Sequence, residues 1–202
     1  HGMEDLFDLA KAFAWESSPL DNKVVVISNA GGPAVLSADL IEEAGLEMAV
    51  LNKNTHNILL ENLPRTANIN DPIDVLGDAL ADRYATALNA VLADNAVDAV
   101  VVLLTPQMTT QISETAKIIS DASTKFGKPI VTAFIGGSQV AKGESILNAH
   151  KIPCFRYPDR AIWVLGRMWA WGKWRRENQK PEKLKQSIFK IKKPAQKLLH
   201  LY

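Results

Sequence analysis

Ser28-Asn29-Ala30-Gly31-Gly32-Pro33-Ala34-Val35-Leu36-Ser37 is the stretch of this chain best equipped for chemistry. It follows an apolar run at residues 24–27 and opens a helical pattern that continues to Ile41. Two glycines leave no side chain to fend off a ligand, and they permit a tight strand-to-helix turn. Pro33 suits the first helical position, where a missing N–H costs nothing. The backbone N–H groups of Gly31, Gly32 and Ala34 then face outward with the positive end of the helix dipole behind them, a seat for an anion such as a phosphoryl group. The glycines are adjacent, so this is not the spaced G-x-G-x-x-G of dinucleotide sites, and no Lys-Ser or Lys-Thr follows to make a Walker loop. A purely structural Gly-Gly turn remains open on these residues alone.

Other reactive chemistry is sparse. His1, His56, His150 and His200 stand apart from any Cys, Asp or Glu at metal-ligand spacing, so no metal site is expected. Asp71, Asp74 and Asp78 suggest a magnesium site at most, and Asp74 and Asp78 serve equally well as turn and cap residues. Cys154 falls in an expected strand and reads as a small core residue. There is no G-x-S-x-G elbow to supply a nucleophile. Trp163, Trp169, Trp171 and Trp174 read as a packing stripe on the last helix.

The elements that must position the glycine loop alternate regularly. Residues 6–14 carry apolar positions at helical spacing behind Glu4 and Asp5, an amphipathic helix. Strands are expected at 24–28, 47–51, 99–104, 130–134 and 152–155. Helices are expected at 33–44, 55–63, 82–93, 110–126, 140–149 and from 159 to about 173, with 71–78 a loop. Five apolar strands separated by helices call for a parallel sheet covered on both faces, a flavodoxin-like three-layer α/β sandwich of order 2-1-3-4-5. Ligands bind at the carboxyl ends of such strands, and there the glycine loop meets the 71–78 loop, Thr105-Pro106-Gln107 and Gly136-Gly137-Ser138. The expected division is 1–22 as helix and lead-in, 23–172 as the α/β domain and 173–202 as a basic tail.

Of the 202 residues, 47% are hydrophobic and 22% charged, ordinary for a globular protein. The net charge of +1 hides a segregation: residues 173–202 hold ten Lys/Arg against two acids, leaving 13 basic and 20 acidic residues elsewhere. Such a tail is expected to be a solvated linker toward another domain rather than a nucleic-acid arm. No apolar run approaches a membrane span, and a lone cysteine fits a reducing, cytoplasmic location.

The string VVVISNAGGPAVLSADLIEEAG (24–45) resembles the C-terminal CoA-ligase domain of ADP-forming acyl-CoA synthetases, relatives of succinyl-CoA synthetase. Three further strings stand in the family's order: NDPIDVLGDA (70–79), DAVVVLLTPQMTT (98–110) and GKPIVTAFIGG (127–137). KIPCFRYPDRAIWVLGRM (151–168) and a Trp- and Arg-rich stretch follow, so the resemblance spans roughly residues 4–175. It implies the reaction acyl-CoA + ADP + phosphate ⇌ carboxylate + CoA + ATP, through an acyl phosphate and a phosphohistidine. It also implies that the histidine lies in a separate CoA-ligase domain, with a CoA-binding domain and an ATP-grasp domain in the same chain or another subunit. On this match Asn29, Ala30, Gly31, Gly32, Pro33 and Ala34 are the phosphate-binding loop, and Asp74, Thr105, Gly136 and Gly137 support it, with no catalytic residue in the chain itself. Phosphate or phosphohistidine, CoA, ADP/ATP and magnesium belong to the whole enzyme, and no cofactor is held tightly here. Two positions depart from the family pattern. Glycine is usual where Ala34 stands, so its methyl is expected to crowd the phosphate, and Gly-Asn-Pro is usual where Asn70-Asp71-Pro72 stands, so Asp71 is expected to bring negative charge toward it. The synthetase-like half of some protein lysine acetyltransferases implies a regulatory alternative without turnover. A stand-alone flavoprotein is disfavoured because its phosphate loop is normally rich in Ser and Thr.

Overall fold

Strands built of consecutive Val, Ile and Leu send alternate side chains to opposite faces, and this alternation creates two cores. The computed structural model describes residues 2–178. β1 (Lys23–Ser28), β4 (Ala99–Leu104) and β5 (Ile130–Phe134) form the centre of a parallel sheet, flanked by the two-residue strands β2 (Glu47–Met48), β3 (Ile73–Asp74) and β6 (Cys154–Phe155). On one face Val25, Ile27, Val100, Val102, Leu104 and Phe134 pack under α3 (Lys53–Asn62), α4 (Ala81–Leu92), α5 (Ile112–Phe126) and α6 (Ala141–Ala149). On the other, Val24, Val26, Val101, Leu103 and Val131 pack under α1 (Met3–Trp15), α2 (Gly31–Glu43) and α7 (Pro158–Asn178).

The order is β2-β1-β4-β5-β6, the expected 2-1-3-4-5 once the expected strands are counted, with β3 as an additional strand. β3 corrects the expectation of a plain loop over 71–78, and β2 is shorter than expected. Both differences have one cause. β1 pairs β4 from Val24 to Ser28, but its other edge is shared: β2 takes Lys23 and Val24, and β3 takes Ile27 and Ser28. Between them the Val26 N–H meets no strand and donates instead to Asp71 Oδ1 at 2.8 Å.

Two glycines mark where layers touch. A Cβ on Gly166 of α7 would stand 2.6 Å from the carbonyl oxygen of Ala44, so α7 lies directly against the end of α2. A Cβ on Gly136 would stand 2.7 Å from Pro106 Cγ, so the loop after β5 rests on the loop after β4. α7 runs to Asn178, past its expected end, so the expected boundary at 172/173 falls inside a helix. The remainder of the basic tail, from 179 onward, lies outside the described residues. Among the described residues no helix is long and apolar enough to cross a membrane.

Candidate phosphate-binding loop

The loop is held from beneath by short-range bonds. Ser28 Oγ donates to the Ala30 carbonyl at 2.9 Å and accepts from the Ala30 N–H at 3.0 Å, which shapes the turn out of β1. Asn29 is fully committed to β4: its Nδ2 donates to the Thr105 carbonyl at 2.8 Å, and its Oδ1 accepts the Thr105 N–H at 2.8 Å. Thr105 Oγ1 adds a third bond to the same oxygen at 3.2 Å. Asn29 is therefore a buried splice between two strand ends, and its side-chain amide is occupied. Beneath it the buried Tyr84 hydroxyl donates to the Leu103 carbonyl at 2.8 Å. Burial pushes that hydroxyl's pKa up, so it stays a neutral donor.

α2 begins at Gly31, with Ala30 as N-cap, so Pro33 occupies the third helical position rather than the first. Neither glycine has a left-handed φ; both are helical, and their contribution is an absent side chain. The first intrahelical bond runs from the Ala34 N–H to the Ala30 carbonyl at 3.3 Å, which takes Ala34 out of the expected set of outward donors. Pro33 has no N–H to offer. Two donors remain, Gly31 and Gly32, both solvent-exposed and without a partner among the described residues. Ala34 is buried, so its methyl packs into the protein instead of crowding that seat.

The three aspartates of the 71–78 segment have three separate tasks. Asp71 bonds Val26 as above and accepts the Ala49 N–H at Oδ2, 3.2 Å away. It fills the gap in the β1 edge, which corrects the expectation that its charge reaches the loop. Burial pushes its pKa up to about 7, against the lowering effect of the two N–H donors. Asp74 Oδ1 accepts the Leu76 N–H at 2.8 Å and holds Leu76 at a φ of 73°, a left-handed conformation costly for leucine. Its other oxygen would lie 3.7 Å from a Cβ on Gly31, so Asp74 is the carboxylate beside the loop. Asp78 pairs with Arg83 at 2.7 Å. Among the described residues no group of three or more His, Cys, Asp or Glu is placed to hold a metal.

The structure thus brings Asn29, Thr105, Gly31 and Asp74 together, and Gly136 joins through Pro106. Gly137 opens a short 3-10 helix, exposed and at φ 56°. Sequence reasoning missed Tyr84, whose position in an amphipathic helix carries no signal of a loop 50-odd residues earlier. A helix start with two bare N–H donors and no nucleophile can bind and orient an anion, and nothing in it can attack one.

Residues 24–178 match the family model described as the Ligase-CoA domain. The chain is 36% identical over 168 residues to acetate–CoA ligase [ADP-forming] I of Archaeoglobus fulgidus, covering 82% of this chain and 23% of that protein. It is 31% identical over 172 residues to 4-hydroxybutyrate–CoA ligase [ADP-forming] of Nitrosopumilus maritimus, covering 85% and 24%. Among solved structures it superposes on dinucleotide-forming acetyl-coenzyme A synthetase 1 of Ca. Korarchaeum cryptofilum in complex with phosphate and ADP. There the TM-score is 0.81 at 30% identity, over 87% of this chain and 38% of that one. The chain spans about a quarter of the length of these two curated relatives.

Proposed function

The chain belongs to the Ligase-CoA domain family, and from that premise we propose that it is the phosphoryl-gripping domain of an ADP-forming acyl-CoA synthetase. The whole enzyme would interconvert acyl-CoA, ADP and phosphate with carboxylate, CoA and ATP. The observation that carries this reading is the pair of exposed N–H groups of Gly31 and Gly32 at the start of a 13-residue helix. They sit at the carboxyl end of the strand where the sheet order reverses, the usual ligand position in such folds. These N–H groups donate to the phosphoryl oxygens, and the α2 dipole favours the charge. The Asn29–Thr105 splice and the Ser28 turn keep both donors aimed. The phosphorylated histidine comes from a related domain, and the nucleotide and CoA sites come from ATP-grasp and CoA-binding domains of the same assembly. CoA, ADP/ATP and magnesium act there.

Asp74 sets the strength of the grip. Its charge stands beside Gly31, so the isolated chain holds free phosphate only weakly, with a Kd in the millimolar range, about −4 kcal/mol. Titration of the 202-residue chain with phosphate, followed by amide chemical shifts, tests the reading. The Gly31 and Gly32 amides move first and furthest. Movement elsewhere with these two unchanged would remove the loop from the site.

A further inference from the structure

β2 leaves the sheet with an open edge. Its neighbour is β1, where the Glu47 and Ala49 N–H groups donate to the Asn22 and Val24 carbonyls at 2.9 Å each. Alternation turns the Met48 N–H and carbonyl to the outer side, where the described residues supply no further strand. Such edges are usually blunted by lysine, proline or a covering segment. Leu46-Glu47-Met48-Ala49-Val50-Leu51 contains neither lysine nor proline, and Val50 is 85% exposed.

A cavity opens on each face of this edge, and Met48 borders both. Toward α3, Ala49, Leu51 and His56 line one of about 290 Å³. Toward α2, Ile41, Glu42 and Leu46 line one of about 260 Å³. Glu47 on the same rim is paired with Lys23, whereas Glu42 has no ion pair among the described residues, and α2 carries no basic residue. Above Met48, Asn70 and Asp71 close the cavity toward α3, so the open stretch is as short as β2 itself. A strand added here sends alternate side chains to the two cavities, apolar ones toward α3 and a cation toward Glu42.

The described chain ends near this edge. α7 finishes at the amino ends of the strands, where Arg176 donates to the Pro19 and Leu20 carbonyls at 3.3 and 2.7 Å. Two residues further on, Asn22 Nδ2 donates to Glu47 Oε1 at 3.2 Å and so ties that lead-in to β2. Residues 179–202 lie beyond, and their sequence contains Phe189-Lys190-Ile191, two apolar residues astride a cation, with Pro194 to end the run. Residues 179–188 can span up to about 33 Å, enough to reach the edge. We propose that Phe189-Lys190-Ile191 of the same chain docks on β2 as a short parallel partner. Lys190 stands opposite Met48 and faces Glu42, while Phe189 and Ile191 enter the cavity toward α3. A segment arriving from the end of α7 enters in the direction of β2. Its crossover passes over the face that α2 covers and moves toward the same edge, the hand of β1–α2–β2 and of parallel crossovers in general.

Hydrogen exchange of the Met48 amide in the 202-residue chain tests this, with β4 amides as the reference for global stability. Phe189→Asp speeds Met48 exchange about tenfold or more and leaves β4 unchanged, while Leu198→Asp, outside the run, leaves both unchanged. Glu42→Lys speeds Met48 exchange about threefold, and adding Lys190→Glu restores it. Wild-type exchange at the rate of a free peptide, as expected if the edge awaits another protein, overturns the proposal. So does a Met48 amide indifferent to Phe189→Asp, or a double variant no slower than Glu42→Lys alone. Protection that grows between about 20 and about 400 μM chain would assign the edge to a neighbouring copy and overturn it as well.

Discussion

Gly32 separates folding from function at the residue scale. A Cβ there meets nothing within 4 Å, and the backbone is helical. Gly32→Glu therefore replaces a poor helix former with a good one and adds an acid at a helix start, two stabilising changes of about 0.5–1 kcal/mol each. Thermal unfolding will show a Tm at or above wild type, while phosphate no longer shifts the Gly31 amide. Asp74→Asn acts in the opposite sense: the amide oxygen still accepts from the Leu76 N–H, but the charge beside Gly31 is gone. Repulsion between unit charges near 4 Å is worth about 1 kcal/mol in a water-like medium, so phosphate binds about fivefold tighter, readable in the same titration. The loop's location and its two donors were legible in the sequence as Gly-Gly after a buried strand. The donor count was not, because whether α2 begins at Gly31 or Pro33 depends on the Ser28 turn and on the Ala34-to-Ala30 bond.

At the scale of elements, Asp71 takes the place of a missing strand partner. Its raised pKa, like that of Glu16 (also about 7, from burial), means that the folded chain holds a proton there that the unfolded chain has lost. Stability from both groups is fully present below about pH 4 and is lost as pH rises through 7. Urea melts at pH 5 and pH 8 will show the fold weaker at pH 8 by at least about 1 kcal/mol from these groups, and Asp71→Asn will remove part of that difference. An amide oxygen can still accept from Val26, and Ala49 retains its bond to the Val24 carbonyl at 2.9 Å. Gly166→Ala probes the α2–α7 contact. A methyl 2.6 Å from the Ala44 carbonyl forces the helices apart at a cost of about 1–3 kcal/mol, visible as a lower urea midpoint. Central strands at 99–104 and 130–134 were readable to the residue, because AVVVLL and IVTAF carry no charge and no helix or turn signal and leave only a two-sided burial to satisfy. β3 was not, since two residues after a proline carry no alternation. α1 showed its amphipathicity but not which side faces in, which Arg160, some 152 residues away, decides.

At the scale of the whole molecule, the parallel sheet and its two helical layers present one functional edge, where β1, β3 and β4 end together. In the proposed reading that edge is an anion seat without an attacking group, and turnover falls to other modules of the assembly; the chain spans about a quarter of the two ADP-forming ligases described above. In the proposed function the start of α2 grips the phosphoryl group in transit to a histidine. The direct test is histidine phosphorylation from labelled ATP in the fully assembled enzyme, wild type against Gly32→Glu, with His56→Ala as control. Gly32→Glu will lose the phosphohistidine signal with a Tm at or above wild type, and His56→Ala will label like the wild type. Wild-type labelling in a folded Gly32→Glu enzyme would contradict it.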